Sequence, residues 1–341
     1  MRTQRTRLEL QPFFCYNNTS KKGENRIYLS RLKFSAEMAY TKREDFFRRI
    51  FCVMFEQNRE RNLSMVMDFY EMTMANGYFQ DGVGARQAAF DVFYRQNPDG
   101  GGFAIFAGLE QIVQYIENLH FSAQDIDFLR AQGMFSAEFL DYLAHFHFSG
   151  SVYALKEGTV MYPGTPIVTV VAPVIEAQLV ETALLLEINH QSLIATKASR
   201  IVRAAQGRGV SDFGARRAHN MDSAVYGARA SYLGGVDATA TVLAGQMFGI
   251  PVTGTMAHSY VMFYGDERLA FEKYARTYPD ACVLLVDTYD VLQSGVPNAI
   301  RVAKEVLEPM GKRLKGIRLD SGDLAYLSKK SRAMLDEAGL T

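Results

Sequence analysis

His258 is the residue of this sequence that is best placed to do chemistry, because it follows the β-type run 250–255 within the segment G-T-M-A-H-S. A histidine at a strand end can act as a general base, as a nucleophile toward phosphorus or as a metal ligand. Ser259 lies beside it and is expected to bind the same substrate. The alternative interpretation is a histidine that only packs at the start of a helix, and sequence position leaves both open.

Three aspartates recur at what we predict to be equivalent strand ends. Asp237, Asp287 and Asp320 lie in G-G-V-D-A-T, L-V-D-T-Y-D and I-R-L-D-S-G-D. Carboxylates there can hold Mg²⁺, orient sugar hydroxyls or polarise a histidine. A single aspartate in such a place is better explained as a helix cap, but three of them argue equally for a function. We therefore predict that all three are catalytic.

Basic and aromatic residues accompany these strand ends. Arg216 and Arg217 follow Phe213 in S-D-F-G-A-R-R, and Arg318 precedes the last aspartate. Guanidinium groups bind carboxylates and phosphates through paired donors, and an aromatic ring can stack on a planar substrate. A solvated helix start or an interface ion pair is the alternative for the tandem arginines. The predicted strand ends carry no lysine, which argues against a Schiff-base aldolase.

The elements that must position these residues form a strand-then-helix rhythm. From Gly207 to Gly339 we predict five such units, each with polar residues at the strand end. Parallel strands with their polar residues at the carboxyl ends are typical of a βα-barrel active site. We expect α/β architecture: an N-terminal α+β domain over residues 54–175, then bridging helices and barrel units over 176–341. Because a closed barrel needs more strands, we expect the barrel to be incomplete in this chain.

Residues 1–53 lack a sustained apolar period and are expected to lie outside the fold. Four interpretations remain open: a disordered arm, an amphipathic helix that packs on a partner, a translation start at Met54, and a mitochondrial transit peptide. The start at Met54 is the favoured one, because well-patterned sequence begins abruptly after it. Acidic residues weaken the transit-peptide interpretation.

Composition excludes several classes of protein. The chain has 341 residues, with 37 basic and 37 acidic side chains, so no net charge recruits nucleic acid or an anionic membrane. Its three cysteines have neither metal-site nor disulfide spacing, and Cys282 is predicted to be a reduced core residue in a cytoplasmic protein.

The turn N-P-D-G-G-G lacks the Lys-Ser/Thr of a phosphate loop and is predicted to be a hairpin turn. No apolar run is long enough to predict a transmembrane span.

Seven segments, in chain order, resemble nicotinate phosphoribosyltransferases and, more distantly, their nicotinamide- and quinolinate-using relatives. They are M-D-F-Y-E-M-T-M-A-N-G-Y, A-G-L-E, S-D-F-G-A-R-R-A-H, G-G-V-D-A-T, G-T-M-A-H-S-Y, V-D-T-Y-D and I-R-L-D-S-G-D. The resemblance covers about residues 60 to 341. It implies a dimeric type II phosphoribosyltransferase, with an incomplete α/β barrel beside an N-terminal α/β domain.

The resemblance also implies roles for single residues. His258 would be phosphorylated by ATP, whose hydrolysis drives the transfer. Phe213 would stack on the pyridine ring, against Tyr70 donated by the other subunit, while Arg216 contacts the substrate. The three aspartates match carboxylates near the base, the ribose and Mg²⁺-pyrophosphate, with Mg²⁺ near Asp287 and Asp320. Further substrate contacts are expected from Arg217, Ser259 and Arg318.

The implied reaction joins nicotinate to phosphoribosyl pyrophosphate. The ring nitrogen displaces pyrophosphate to give nicotinate mononucleotide, with ATP as co-substrate and Mg²⁺ as cofactor. The tandem arginines favour an anionic base, although a nicotinamide-using enzyme remains the alternative. An inactive fragment that acts as a dimerisation partner is the alternative outside enzymology, and the incomplete barrel is its basis.

Overall fold

The computed structural model describes residues 14–17 and 61–340, and it is a mixed α/β structure. The chain divides into two compact units, Met1–Val252 and Thr253–Thr341. The predicted domain division at residue 175 falls inside the first unit and stays a prediction. Within residues 61–340, no helix combines the length and apolar character that crossing a bilayer requires.

An antiparallel sheet forms the centre of the first unit. Its strands are β1 (Phe14–Asn17), β2 (Gln87–Val92), β4 (Ser151–Ala154) and β6 (Val168–Pro173), in the order β1-β4-β6-β2. Alternate β6 side chains are buried, which matches a sheet with one face against the core. The four residues of β1 lie within the segment expected to stay outside the fold. The rest of residues 1–53 lies outside the described residues, and the prediction for it stays a prediction.

Helices cover the buried face of this sheet. They are α1 (Phe69–Gln80), α2 (Leu109–Asn118), α3 (Ala123–Ala131), α4 (Ala137–Ala144) and α5 (Val174–Gln178). Their apolar residues join one core, with its largest fully buried side chains including Phe106, Phe139, Ile112 and Leu143. Ser122 caps α3 through a capping box with Asp125, which fixes where that helix begins.

The glycine-rich turn at residues 97–102 does not close a hairpin, so that prediction is wrong. β2 before it pairs with β6, whereas β3 (Ala104–Ile105) after it pairs with β5 (Val160–Met161). The turn instead packs against a long helix, where Arg200 Nη2 donates to the Pro98 carbonyl over 2.7 Å. A Cβ at Gly101 would lie 1.9 Å from the same nitrogen, so a larger residue there would require the Arg200 guanidinium to move.

The second half of the first unit begins with that long helix, α6 (Glu181–Ala204), which packs on α7 (Met221–Leu233). One or two long bridging helices were predicted from Glu176 onward, and the structure has one long helix there. Two short parallel strands follow the rhythm expected of βα units: β7 (Ser211–Asp212) pairs with β8 (Ala238–Thr239). Thr239 then makes a parallel bridge to Val252, beyond α8 (Val242–Phe248).

The second unit is built around another parallel pair, β9 (Val283–Leu285) and β10 (Gly316–Arg318). Helices α9 (His258–Tyr264), α10 (Glu267–Thr277), α11 (Val296–Val302) and α12 (Leu324–Glu337) accompany it. Cys282 is fully buried and free, as predicted, and burial raises its pKa to about 11. Gly295 allows a helical turn to approach β9 closely, since a Cβ there would lie 1.9 Å from the Val286 carbonyl oxygen.

Candidate active site

His258 is the first residue of α9, and three side chains surround its ring. Its Nδ1 lies 3.1 Å from the Thr288 hydroxyl. Its Nε2 lies 3.7 Å from Asp320 Oδ2 and 3.9 Å from Asp287 Oδ1. The side chain is 36% exposed, so a ligand can reach the ring. The predicted grouping of His258 with two strand-end carboxylates is therefore present within this unit.

Asp287 is the most deeply buried member of this group. It follows β9 by two residues, and its side chain is 2% exposed. Its Oδ2 accepts hydrogen bonds from the Asp320 backbone N–H (3.0 Å) and the Ser321 hydroxyl (2.6 Å). Its Oδ1 is buried and has no hydrogen-bond partner among the described residues. A buried carboxylate oxygen left in this way favours binding of a cation or a proton donor.

Asp320 and Arg318 lie at the end of the neighbouring strand. Asp320 follows β10 by two residues, and its Oδ2 lies 3.5 Å from Arg318 Nη2. Arg318 Nε is buried and has no hydrogen-bond partner among the described residues, so this guanidinium keeps a donor available. Ser259 is exposed next to His258 on α9. These residues form a mixed-charge cluster on which a phosphorylated substrate can be held.

Thr288 is a member of this site that the sequence analysis did not single out. It lies inside the motif V-D-T-Y-D, directly after Asp287, yet nothing in the sequence indicates that it faces a residue 30 positions away. Its hydroxyl contacts one ring nitrogen while the carboxylates face the other. The structure therefore orients the His258 imidazole from both sides.

The loop after β7 carries the aromatic and basic residues predicted to bind the substrate. Phe213 is 46% exposed. Arg216 and Arg217 end a short helical turn, Ala215–Arg217, and both are exposed, without an ion pair to another described residue. Their charges are therefore available to an anionic ligand. Asp212 holds this loop, because its Oδ1 accepts from Gly214 N (2.9 Å) and its Oδ2 from the Thr239 hydroxyl (3.1 Å).

Asp212 was also missed by the sequence analysis, and Asp237 was misplaced. Asp237 precedes β8 instead of following it, so the expected position at a strand end is wrong. The backbone explains this: Asp237 N donates to the Val210 carbonyl and Asp237 Oδ2 accepts from Val210 N, each at 2.9 Å, before the two-residue strand begins. Asp212, in β7, occupies the place expected for a strand-end aspartate. The catalytic role of Asp237 stays a prediction.

Tyr70 projects from α1 and is 44% exposed. Its hydroxyl donates to Glu181 Oε1 over 3.0 Å. Burial, followed by this hydrogen bond to Glu181, raises the pKa of Tyr70 to about 12. Among the ring contacts of the described residues, Tyr70 and Phe213 do not touch each other.

Glu71, the neighbour of Tyr70, fastens α1 to the start of α6. Its side chain is fully buried, and its Oε1 accepts from Thr182 N (3.1 Å) and from the Thr182 hydroxyl. Burial raises the pKa of Glu71, although these hydrogen bonds act in the opposite direction. Its Oε2 is buried without a partner among the described residues, which is consistent with a carboxyl group that ionises reluctantly.

The raised pKa of Glu71 predicts a pH dependence of stability. Between the ordinary value of 4.5 and the raised folded value, the folded chain binds more protons than the unfolded chain. The contribution of Glu71 to the unfolding free energy therefore falls as pH increases through this range. Glu71→Gln should remove this slope, as measured by urea unfolding at several pH values from about 4.5 to 7.5. Identical pH profiles of the wild type and the variant would show that Glu71 ionises normally.

A buried ionic network supports the first unit from within. Arg229 on α7 is 5% exposed and bonds Glu110 and Glu157, with Nη2 2.6 Å from an oxygen of each. Glu157 Oε1 also accepts from the N–H groups of Gly108 and Leu109 at the start of α2. Burial alone would raise the pKa of Glu157, but Arg229 and these N–H groups hold it below its usual value.

Two family models match the chain. The model of the nicotinate phosphoribosyltransferase (NAPRTase) N-terminal domain matches residues 65–189, and that of the nicotinate phosphoribosyltransferase (NAPRTase) family matches residues 209–337. Together they cover the elements that carry Tyr70, Phe213, His258 and the strand-end aspartates.

Individual relatives agree with these models. The chain is 51% identical to a nicotinate phosphoribosyltransferase of Bacillus subtilis over 285 residues, covering 83% of this chain and 57% of the relative. It is 49% identical to nicotinate phosphoribosyltransferase pncB2 of Mycobacterium tuberculosis, covering 81% of this chain and 59% of the relative. The chain thus spans less than two thirds of the length of these relatives.

A solved structure shares the fold. The crystal structure of human nicotinic acid phosphoribosyltransferase superposes with a TM-score of 0.73 and 33% sequence identity, covering 80% of this chain and 64% of the human one. The resemblance inferred from the ordered motifs is thereby confirmed. The chain belongs to the nicotinate phosphoribosyltransferase family.

Proposed function

We propose that this protein forms nicotinate mononucleotide and pyrophosphate from nicotinate and phosphoribosyl pyrophosphate, with ATP hydrolysis coupled through a phosphohistidine at His258. The observation that carries this proposal is the setting of His258, between the Thr288 hydroxyl and the carboxylates of Asp287 and Asp320. Membership of the family supports the same reaction.

The His258 geometry suits a phosphoryl acceptor. Two carboxylates within 3.9 Å of Nε2 favour a proton on that nitrogen, so the lone pair lies on Nδ1, where the Thr288 hydroxyl can donate to it. Once the Thr288 hydroxyl turns away from it, Nδ1 would attack the γ-phosphorus of ATP, the bond from that phosphorus to the β–γ bridging oxygen would break, and ADP would leave. The carboxylates would offset the positive charge that the ring then carries. Water would later cleave the N–P bond, releasing phosphate and restoring His258.

The phosphohistidine would couple ATP hydrolysis to substrate affinity through charge. A phosphoryl group adds up to about two negative charges to the His258 ring, whose other nitrogen faces Asp287 and Asp320. Arg318, whose Nη2 lies 3.5 Å from Asp320 Oδ2, is the cation of this cluster and would offset part of the added charge. Repulsion between the phosphoryl group and the carboxylates would rearrange the cluster that receives phosphoribosyl pyrophosphate.

The loop after β7 would bind the base. Arg216, with Arg217 beside it, would pair with the nicotinate carboxylate, and Phe213 would stack on the pyridine ring. The nitrogen of nicotinate is already nucleophilic, so the site mainly has to align it with the ribose carbon that loses pyrophosphate. Asp237 would act near the base and ribose, and Ser259 near the phosphates.

The residues near His258 fit Mg²⁺. Asp287 Oδ1 is a buried carboxylate oxygen without a partner among the described residues, and Asp320 Oδ2 faces the same histidine. Mg²⁺ prefers oxygen ligands and is often held by one or two carboxylates together with substrate phosphates. Among residues 61–340 no cluster of three or more His, Cys, Asp or Glu could hold a metal by itself, so pyrophosphate oxygens would complete the ligand set. Bound Mg²⁺ would neutralise charge on the departing pyrophosphate.

The same proposal includes the fold, the subunit arrangement and the cellular location of the protein. The fold would be an incomplete α/β barrel of the type II phosphoribosyltransferase kind, preceded by an N-terminal α+β domain. The active site would be shared in a homodimer, with Tyr70 of one chain facing Phe213 of the other. A cytoplasmic location is supported by the free, buried Cys282.

Discrimination between bases tests this proposal. Nicotinate carries a carboxylate that nicotinamide lacks, so wild type should form product from nicotinate and should use nicotinamide at least about tenfold less well, as expected for loss of one charge-assisted contact. Arg216→Ala should raise the KM for nicotinate by at least about tenfold and leave nicotinamide use unchanged. Chromatography of the two mononucleotides measures both rates. Equal use of the two bases by wild type would favour the nicotinamide alternative.

A further inference from the structure

Glu181 contacts Tyr70 in a way that helix formation does not explain. It is the first residue of α6, and its Oε1 accepts the Tyr70 hydroxyl hydrogen at 3.0 Å. Its Oε2 accepts from Gln178 Nε2 at 2.6 Å, and Gln178 is 5% exposed. Both carboxylate oxygens are therefore engaged, which leaves the carboxylate little freedom to rotate.

The backbone that carries Glu181 is itself fixed to the helix that carries Tyr70. Thr182 N donates to Glu71 Oε1, and Asp68 N donates to the Thr182 hydroxyl at 3.2 Å. These bonds flank Tyr70 on α1 and Glu181 on α6. The distance between the two side chains is thus constrained by neighbouring hydrogen bonds that join the two helix starts.

We infer that Glu181 is a positioning residue for Tyr70, holding its partly exposed ring in the orientation in which a flat substrate ring can stack on it. This inference rests on the proposed function, in which Tyr70 contacts nicotinate. The phenol has one hydrogen, and the bond to Glu181 uses it. The Tyr70 ring is then held at its hydroxyl as well as at Cβ. Because its rotation is already restricted, less conformational entropy is lost when a ligand binds.

A purely structural role for Glu181 makes a different prediction. An acidic residue in the first turn of a helix stabilises that helix through the helix dipole. If this were the role of Glu181, its removal would lower stability without changing the Tyr70 ring. Glu138 occupies the first turn of α4 and is exposed, which makes Glu138→Ala a matched control. Only a positioning role couples Glu181 to the substrate through the tyrosine.

A double-mutant cycle on nicotinate binding tests the inference. Calorimetry measures the Kd of wild type for nicotinate. Tyr70→Ala should raise this Kd about tenfold, which is the upper end of the effect expected for the loss of one stacked pair. Glu181→Ala should weaken it roughly three- to tenfold, and the double variant should bind no more weakly than Tyr70→Ala alone. Glu181→Gln should retain most of the affinity, because the amide oxygen can still accept the hydrogen of the Tyr70 hydroxyl. Glu138→Ala should bind as wild type does.

The outcomes separate this inference from the proposed function. If Arg216→Ala weakens nicotinate binding while Glu181→Ala does not, or if the Tyr70 and Glu181 effects add fully, the positioning role is refuted and the proposed function stands. If wild type does not bind nicotinate, the proposed function fails, and NMR of ¹³C-labelled tyrosine decides the positioning role. The Tyr70 ring signal, identified by its loss in Tyr70→Phe, should then change its shift and titrate at lower pH in Glu181→Ala; an unchanged signal would overturn the inference.

Discussion

His258→Ala is expected to abolish transfer of the ATP γ-phosphate to the protein, and with it the ATP hydrolysis that accompanies nucleotide formation. The physical reason is that the imidazole is the nucleophile in the proposed step, and alanine offers no lone pair. The fold should survive, because the ring is partly exposed and lies at the start of a helix instead of in the core. The measurement is incubation with γ-labelled ATP, followed by detection of acid-labile, base-stable label on the protein.

The matched control is His145→Ala, which removes another histidine beside an aspartate. His145 Nδ1 lies 3.8 Å from Asp141 Oδ1, but the side chain is 76% exposed, and Asp141 is the one carboxylate that pairs with it among the described residues. This variant should be labelled as wild type is. The Thr288→Val variant should still be labelled, but more slowly than wild type, because His258 loses the hydroxyl that orients its ring. Base-stable label on His258→Ala at the wild-type level would refute the assignment.

Arg229→Ala is expected to destabilise the protein by about 3–5 kcal/mol, the usual cost of leaving buried charges without their partner. Arg229 is 5% exposed and is the shared cation of Glu110 and Glu157, so its removal leaves two carboxylates facing each other. Arg229→Lys should also be destabilising, since one ammonium cannot reproduce the bonds that the guanidinium makes to both carboxylates. Urea unfolding followed by circular dichroism measures the change in unfolding free energy.

Partial rescue distinguishes this electrostatic cause from lost packing. Combining Arg229→Ala with Glu110→Gln and Glu157→Gln removes the uncompensated charges and should recover part of the lost stability. Stability also depends on pH here: the pKa of Glu157 is below its usual value, so its contribution is present above pH 4.5 and is lost as pH falls through the folded pKa. An Arg229→Ala protein within about 1 kcal/mol of wild type would contradict the account of this network.

The spacing of apolar residues predicted many of the helices and strands, because that spacing over a short stretch determines which of the two forms. Bridging helices were predicted within 176–341, where apolar residues recur at helical spacing, and α6 lies there. Pairing between distant segments was harder. The turn at residues 97–102 has hairpin composition, yet β2 and β3 join different partners, because the pairing is decided by strands more than 50 residues later.

The candidate site shows the same limit. His258, Asp287 and Asp320 follow clear β-type runs, so the sequence indicated that they meet. Asp237 was misplaced because β8 has only two residues and begins directly after the aspartate instead of ending before it. Thr288 and Arg229 were missed because their partners are 30 or more positions away in the sequence. For Arg229 the sequence did hold one signal, an isolated arginine within the otherwise small and apolar run A-V-Y-G-A-R-A-S.

The proposed function is an ATP-coupled transfer of a phosphoribosyl group to nicotinate, with His258 as the phosphoryl acceptor. The most direct measurement incubates the protein expressed from its own gene with nicotinate, phosphoribosyl pyrophosphate, ATP and Mg²⁺, and separates the pyridine nucleotides by chromatography. We predict nicotinate mononucleotide and pyrophosphate in equal amounts, formed faster with ATP than without it. Formation of nicotinamide mononucleotide from nicotinamide at an equal or higher rate, or no pyridine nucleotide from either base, would contradict the claim.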